Sequence, residues 1–187
     1  HGALYLPTED GTNQLNVRRL RRPTTLKEVI GVLRQLADQK HAYQSLVIDT
    51  LTGLQTLVYA ETCALGQKKH IEDFGYGKGY AYSLAQWEQL VVELDRVRAR
   101  GLHIYLLAHE ITRRVPNPGG ADYDQFMPDL YAKALDLLYR WVDNVFHATY
   151  KMAVVTGDKD KNIASGRGKG VSMGARILQT EWRPGAI

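Results

Sequence analysis

The sequence contains a single cysteine, Cys63, and no long uninterrupted run of apolar residues. One cysteine cannot form an intramolecular disulfide, and it excludes zinc sites built from several cysteines. No apolar run approaches the roughly 18 residues that a membrane-spanning helix needs, and the N-terminus does not resemble a signal peptide. These absences predict a cytoplasmic protein without membrane spans or structural disulfides.

The composition is that of an ordinary folded protein. The 187 residues suit one domain, which we predict to extend over residues 1–187, and 44% are hydrophobic while 24% are charged. The formal net charge of +4 permits binding to nucleic acid without establishing it.

Residues 45–50, Ser-Leu-Val-Ile-Asp-Thr, are the most informative stretch. The short apolar run is typical of a central parallel strand that is buried on both faces. Asp49 would then stand at the carboxyl end of the strand, where open α/β sheets place their ligands. Such a carboxylate either helps to order Mg²⁺ beside nucleotide phosphates or caps the following helix, and this stretch alone leaves both interpretations open.

Two further apolar runs also end in polar side chains. Residues 3–6 lead to Glu9, and residues 103–108 lead to His109 and Glu110. Helical patterns between the runs predict a parallel sheet, whose strands share one carboxyl edge. We therefore expect these side chains to converge with Asp49 in one crevice. A carboxylate for Mg²⁺, a group that orients water and a polar sensor are what nucleotide hydrolysis requires.

Two segments have the composition of nucleic-acid contacts, each with a simpler alternative. Residues 17–23 hold four arginines in five positions, which form either a solvated face or a phosphate-contacting patch. Residues 71–80 combine three glycines with aromatic residues and Lys78, which predicts a mobile loop that stacks bases or a turn-rich connector. This segment is not a phosphate-binding P-loop, because Gly follows Lys78 where Ser or Thr is required.

Periodicity and turn residues outline the remaining elements. A helix with a capping-box pattern is predicted to start at residues 24–28. Further helices are predicted over residues 54–65, 83–100 and 129–142, and loops over 115–125 and 157–170. Strands are predicted over 144–150 and 152–156, either tightly joined or as one bent ribbon, and over 175–180.

Several strings give the chain a family resemblance. The order LYLPTEDG, SLVIDT, IYLLAHE resembles the core of RecA-like ATPases. More closely, LVIDTLTGL, IEDFGYGKGY, LLAHEITRR and YDQFMPDLYAKALDLLYRWVD resemble phage-encoded nucleotide-binding proteins of the AAA family, which are related to RecA and linked to single-strand annealing and recombination. The resemblance covers nearly the whole chain. It implies an α/β fold: a RecA-like P-loop NTPase core with a mostly parallel twisted sheet between helices and a C-terminal antiparallel strand extension.

The resemblance also implies the roles of the strand-end residues. Glu9 matches the catalytic glutamate that activates water, and Asp49 with Thr50 matches the Walker B pair, in which Asp49 holds Mg²⁺ through water. His109 or Glu110 matches the polar sensor of the γ-phosphate, and we favour His109 because the family string carries it. ATP and Mg²⁺ are the implied cofactors.

RecA-like proteins complete their sites across subunit interfaces, so the resemblance implies a homo-oligomer, as a ring or a filament, on single-stranded DNA. The candidates for a basic residue that acts in trans, each of which is equally well a solvated loop residue, are Lys159, Lys161, Arg167 and Lys169. The candidates for DNA contacts are Tyr76, Lys78, Arg113 and Arg114.

One departure from the family is that no Gly-x-x-x-x-Gly-Lys-Ser/Thr motif occurs in the sequence. In the family this Walker A loop lies one strand and one helix before LYLPTEDG, and so upstream of the first residue. We expect either a fragment or a natural derivative that has lost ATP binding. The predicted function is ATP binding and hydrolysis by a phage protein of recombination in the host cytoplasm. The alternatives are a non-catalytic module that binds single-stranded DNA or oligomerises, and a structural or regulatory paralogue.

Overall fold

The computed structural model describes residues 2–155 and 169–180, with side chains described for 2–151 and 174–180. The described residues form two compact units, one up to Trp141 and one from Val142 onward. No helix among the described residues is long and apolar enough to span a membrane.

Helices and strands alternate through the first half of the first unit. In chain order they are β1 (Ala3–Pro7), β2 (Arg18–Arg19), α1 (Leu26–Asp38), β3 (Ser45–Asp49), α2 (Leu51–Leu65), a 3-10 helix (Ile71–Phe74), α3 (Lys78–Tyr82), α4 (Leu84–Ala99), β4 (His103–Leu107), β5 (Glu110–Val115), β6 (Tyr123–Pro128) and α5 (Ala132–Trp141).

A four-stranded parallel sheet organises this unit. Its strand order is β2-β1-β3-β4, and the register aligns Pro7 with Asp49 and Asp49 with Leu107. Strand β3 is central, and its Leu46, Val47 and Ile48 are buried. The predicted α/β fold with a parallel sheet flanked by helices is therefore confirmed.

Strand β4 differs from the buried strand that its apolar sequence predicts. It is an outer strand of this sheet, where its exposed and half-buried residues alternate. Tyr105 and Leu107 lie on the exposed side, with 55% and 43% of their surfaces accessible. The apolar run alone did not show that only one face of the strand is covered.

Helix α1 begins as its capping-box pattern predicts. The Thr25 hydroxyl accepts a hydrogen bond from the Glu28 backbone N–H at 3.2 Å, and the Glu28 carboxylate accepts one from the Thr24 N–H at 2.8 Å. These bonds satisfy donors that have no partner inside the helix. The cap thus fixes where the chain enters the helix that packs on α4.

Helix α4 carries the largest buried side chain, Trp87, together with Leu90, Leu94 and Val97 on the same face. Each fully buried aliphatic side chain of this kind stabilises a fold by roughly 1.5–3 kcal/mol relative to an exposed one. This apolar face, predicted from its helical spacing, forms the centre of the core on one side of the sheet.

An ion-pair network joins α1 to α4 at the margin of this core. The buried Glu93 carboxylate accepts hydrogen bonds from Arg34 Nε at 2.7 Å and Arg96 Nη1 at 2.8 Å, and Arg96 also contacts Asp38 at 2.7 Å. Burial raises the pKa of the Glu93 carboxyl, but the bonds from the two arginines outweigh burial and hold that pKa below its usual range.

The prediction of a loop over residues 115–125 is wrong in part. Residues 110–128 form an antiparallel hairpin of β5 and β6, and Pro116, Pro118, Gly119 and Gly120 lie in the turn between the strands. Residues 71–80, predicted as a mobile loop or a turn-rich connector, contain the 3-10 helix, a turn and the start of α3. Gly79 is buried there, and a Cβ in its place would collide with the Ile71 carbonyl oxygen.

The second unit contains an antiparallel pair, β7 (His147–Val155) and β8 (Lys169–Gln179). The strands predicted over 144–150 and 152–156 form the single ribbon that was one of the two expected arrangements, from His147 to Val155, with a register shift between Tyr150 and Met152. Its pairing with β8 confirms the C-terminal antiparallel extension. Most of the loop predicted over 157–170 lies outside the described residues.

Candidate active site

The carboxyl ends of β1, β3 and β4 lie side by side at one edge of the sheet. Asp49 is the last residue of β3, Glu9 follows β1 by two residues, and His109 follows β4 by two residues. The structure therefore brings together the side chains that the sequence placed at three separate strand ends.

Glu9 and His109 make the closest polar contact of this group. Oε1 of Glu9 and Nε2 of His109 are 2.6 Å apart, a strong hydrogen bond whose donor depends on the imidazole tautomer. The His109 side chain is 60% exposed and that of Glu9 is 30% exposed. The pair is thus open to a ligand from the solvent side.

The backbone on both sides of the His109 ring is held in place. The His109 N–H donates to Thr52 Oγ1 at 3.2 Å, and its carbonyl accepts from the Asp129 N–H at 2.8 Å. These bonds fix the imidazole relative to the first turn of α2 and to the end of β6.

Asp49 lies beside this pair in a partly buried position. Burial raises the pKa of its carboxyl, the Glu9 carboxylate raises it further, and His109 lowers it. Two carboxylates thus share one edge of the sheet at an electrostatic cost to the folded chain. A cation between them would relieve this cost.

A reciprocal pair of hydrogen bonds joins β1 to the start of α2. The Thr8 hydroxyl donates to the Thr50 carbonyl at 2.6 Å and accepts from the Thr50 N–H at 2.8 Å. The Thr8 N–H also donates to the Asp49 carbonyl at 2.7 Å. Both threonines are buried, and the Asp49–Thr50 peptide bond is cis. The backbone around Asp49 is therefore fixed from the β1 side.

Thr50 supplies the helix cap that the alternative interpretation assigned to Asp49. Its hydroxyl accepts from the Gly53 N–H at 3.0 Å at the start of α2. The carboxylate of Asp49 does not cap α2, so the interpretation of Asp49 as a helix cap is wrong. Whether the carboxylate acts on Mg²⁺ stays a prediction.

Gly53 permits the close approach of α2 to the end of β1. A Cβ at this position would lie 2.5 Å from Thr8 Oγ1 and 3.2 Å from Glu9 Oε2. Sequence reasoning missed the positioning roles of Thr8, Thr52 and Gly53, although all three lie within strings that carried the resemblance. The available signal was that these residues are close in sequence to Glu9 or Asp49. That closeness does not show which side chains are in contact.

Glu110 takes a different course from His109. It is exposed and opens strand β5, where it pairs in register with Pro128. Of the two candidates for the sensor, His109 has a hydrogen bond to Glu9. The sensor role of either residue stays a prediction.

The candidate DNA contacts differ in how they are held. Tyr76 is fully exposed, and Lys78 is exposed at the start of α3. Arg113 donates from Nη2 to the Leu130 carbonyl at 2.7 Å, and Arg114 lies 3.8 Å from Asp122 Oδ2 in an exposed ion pair. Arg113 thus has a structural bond, whereas the first two side chains are directed to solvent.

Most of the basic residues predicted to act on a neighbouring subunit's site lie outside the described residues. Lys159, Lys161 and Arg167 lie outside the described residues, and Lys169 is described only by its backbone at the start of β8. Their roles stay predictions.

The donor set of the site suits a metal that arrives with a ligand. Among the described residues, no group of three or more His, Cys, Asp and Glu side chains is arranged to hold a metal ion. Mg²⁺ is usually bound by one or two carboxylates together with water and phosphate oxygens. Asp49 with Glu9 beside it fits that pattern, so the residues present fit Mg²⁺ that is bound together with a nucleotide.

Comparison with known proteins gives one match. A family model described as an AAA domain matches residues 1–185, which is nearly the whole chain. No curated protein and no solved structure matches the chain.

Proposed function

The chain belongs to the AAA domain family, and on that premise we propose that it binds ATP with Mg²⁺ and hydrolyses it at the carboxyl edge of the parallel sheet. The observation that carries this proposal is the convergence of Glu9, Asp49 and His109 from three strand ends, with Glu9 and His109 in 2.6 Å contact.

Glu9 is the proposed general base. Its Oε1 is occupied by His109, which leaves Oε2 able to accept a hydrogen bond from the attacking water and then its proton. His109 acts through Glu9 as a positioning residue, because a bond from Nε2–H fixes the rotamer of the carboxylate. In the same proposal the imidazole is the polar sensor that responds to the γ-phosphate.

Asp49 is the proposed residue that holds Mg²⁺ through water. The chemistry that Mg²⁺ supplies when bound is neutralisation of charge on the phosphate oxygens. The chain itself supplies the Asp49 carboxylate, and a hydrogen bond from Thr8 fixes the backbone of Asp49. Burial and the Glu9 carboxylate disfavour the ionised form of Asp49 by raising its pKa. A ligand cation would favour that ionised form.

The finer proposal is a phage-type, RecA-like ATPase that acts in recombination or single-strand annealing as a homo-oligomer. It is supported by the strings quoted above and by the net charge of +4. Lys159, Lys161, Arg167 and Lys169 are then the candidates that reach a neighbouring subunit's γ-phosphate.

A second candidate function is a non-catalytic module that binds single-stranded DNA. The exposure of Tyr76 and Lys78 favours it, because an exposed aromatic ring near a cation suits base stacking with a phosphate contact. Arg113 and Arg114 are weaker candidates for this surface because both have protein partners.

The test uses the product of the complete open reading frame that encodes this chain. Calorimetry measures ATP binding with Mg²⁺, and phosphate release measures turnover, with and without single-stranded DNA. Glu9→Gln should retain ATP binding and lose turnover by about 10²–10⁴-fold, the usual contribution of a general base.

Glu88→Gln is the matched control, because Glu88 is an exposed carboxylate on α4 that is not one of the residues of the candidate site. Its turnover should equal that of the unmodified protein. Unchanged turnover in Glu9→Gln would contradict the catalytic proposal. DNA binding without any ATP binding would instead favour the second candidate.

A further inference from the structure

A groove of about 530 Å³ adjoins the candidate active site. It is lined by residues 21–24, by Thr56 and Leu57 of α2, and by Thr8. Thr8 immediately precedes Glu9, and the Thr56 hydroxyl donates to the Gly53 carbonyl at 2.7 Å. The groove is therefore built on the same turn of α2 that approaches Glu9, but Glu9, Asp49 and His109 are not among the residues that line it.

Two guanidinium groups give this groove its charge. Arg21 is exposed and has no hydrogen-bond or ion-pair partner among the described residues. Arg22 contacts Asp10 at 3.4 Å, and these side chains are 53% and 77% exposed. Exposed ion pairs of this kind contribute about 0–1 kcal/mol, so Asp10 does not hold Arg22 strongly against a competing anion.

The two other arginines of the same run are engaged elsewhere. Arg19 donates to Asn13 Oδ1 at 3.1 Å and to the Leu15 carbonyl at 2.8 Å. Arg18 lies over the Tyr43 ring at 6.0 Å from its centroid. The four arginines are thus not a uniform solvated face. Arg21 and Arg22 line the groove, and most of their N–H donors have no protein partner among the described residues.

The donors of the groove suit a phosphate group. A guanidinium is a planar fork that pairs with two phosphate oxygens at once, so each of these arginines offers a phosphate a pair of charge-assisted hydrogen bonds. The hydroxyl hydrogens are committed elsewhere, because Thr8 donates to Thr50 and Thr56 donates to Gly53. The arginines therefore carry any anion binding, while Pro23 and Leu57 offer an apolar wall to an attached sugar or base.

We propose that this groove is a second phosphate-binding site, in which Arg21 and Arg22 hold a phosphate group of a nucleotide or of a nucleic-acid backbone. The groove shares Thr8 with the surroundings of Asp49, but Glu9, Asp49 and His109 do not line it, and its charged side chains are basic where those of the Asp49 site include two carboxylates. Its proposed role does not depend on hydrolysis. Both sources present the same phosphate oxygens, so the experiment uses a probe for each.

The variant for the test is the double substitution Arg21→Gln/Arg22→Gln. One probe is a fluorescent ATP analogue and the other is a labelled single strand of about 20 thymidines, both followed by anisotropy. We expect an affinity loss of at least about tenfold for one probe or both, since two charge-assisted bonds are removed. If the strand is the ligand, the slope of log K against log salt should fall by about 1.4.

The control is Lys40→Gln/Arg100→Gln, which removes the same charge. Both residues are exposed and precede β3 and β4, at the opposite edge of the sheet. A further variant, Arg21→Lys/Arg22→Lys, keeps the charge but not the fork, and it should bind with intermediate affinity. Thermal melting verifies that all variants are folded.

Each outcome decides the proposal. A loss for ATP alone identifies a nucleotide phosphate, and a loss for the strand alone identifies a backbone phosphate. The proposal is overturned if the Arg21→Gln/Arg22→Gln variant binds both probes as tightly as the unmodified protein does. It is also overturned if the control variant loses as much affinity, or if the unmodified protein binds neither probe. The Glu9→Gln result is independent, because Glu9 does not line the groove.

Discussion

Glu9 and His109 are 100 positions apart in the sequence, yet Oε1 of one and Nε2 of the other lie 2.6 Å apart. The parallel sheet is responsible, because it aligns the ends of β1 and β4 on either side of β3. The contact gives the proposed base a fixed orientation before any ligand arrives, which is the kind of preorganisation that raises catalytic rates.

His109→Ala should lower kcat by about 10–100-fold and leave the dissociation constant for ATP nearly unchanged. The reason is that Glu9 loses the bond that fixes its rotamer, and misplacement of a catalytic group by about 1 Å can cost about 100-fold. Phosphate release and calorimetry measure the two quantities separately.

His109→Gln is the informative companion variant, because its amide N–H can still donate to Glu9. It should recover part of the lost kcat. If the glutamine variant is as impaired as the alanine variant while both are folded, His109 does not act by positioning Glu9.

Asp49→Asn should make the folded chain more stable at pH 7. Burial and the Glu9 carboxylate raise the pKa of the Asp49 carboxyl above its ordinary value of 3.8, so its ionised form is disfavoured in the folded state. As pH rises from 3.8 through that higher folded-state pKa, the folded protein loses stability relative to the unfolded chain. The neutral amide avoids this loss.

Urea unfolding at several pH values tests this prediction. The stability difference between Asp49→Asn and the unmodified chain should be largest above the folded-state pKa and should vanish as pH falls below 3.8. Asp136→Asn is the control, because it removes an exposed carboxylate, and at pH 7 it should change the free energy of unfolding by no more than about 0.5 kcal/mol. A variant that is less stable than the unmodified chain at pH 7 would contradict the electrostatic account of Asp49.

The sequence was sufficient for the strands that carry the site. Apolar runs predicted β1, β3 and β4, and parallel connections then required their polar ends to share an edge. Local pattern did not reveal that β4 is covered on one face, because Tyr105 and Leu107 are as apolar as core residues. Burial depends on what packs against a strand, which is not a local property.

The finer geometry of the site was beyond the sequence for a related reason. His109 and Glu110 are adjacent, and only the path of the backbone into β5 determines which of them contacts Glu9. Likewise, Thr50 and not Asp49 caps α2 because the hydroxyl accepts the Gly53 N–H. In residues 71–80, buried Gly79 packs against Ile71. The glycine and aromatic composition of this segment did not show whether it forms a packed turn or an open loop.

Gly53→Ala should destabilise the chain by about 1–3 kcal/mol, the usual cost of overpacking. The added Cβ would lie 2.5 Å from Thr8 Oγ1, and Thr8 cannot yield without breaking its two bonds to Thr50. Gly31→Ala in α1 is the matched control, since nothing lies within 4 Å of its Cβ position. It should stabilise by about 0.5–1 kcal/mol, as alanine normally does in a helix. Urea unfolding measures both, and a Gly53→Ala variant that is as stable as the unmodified chain, or more stable, would contradict close packing of α2 on β1.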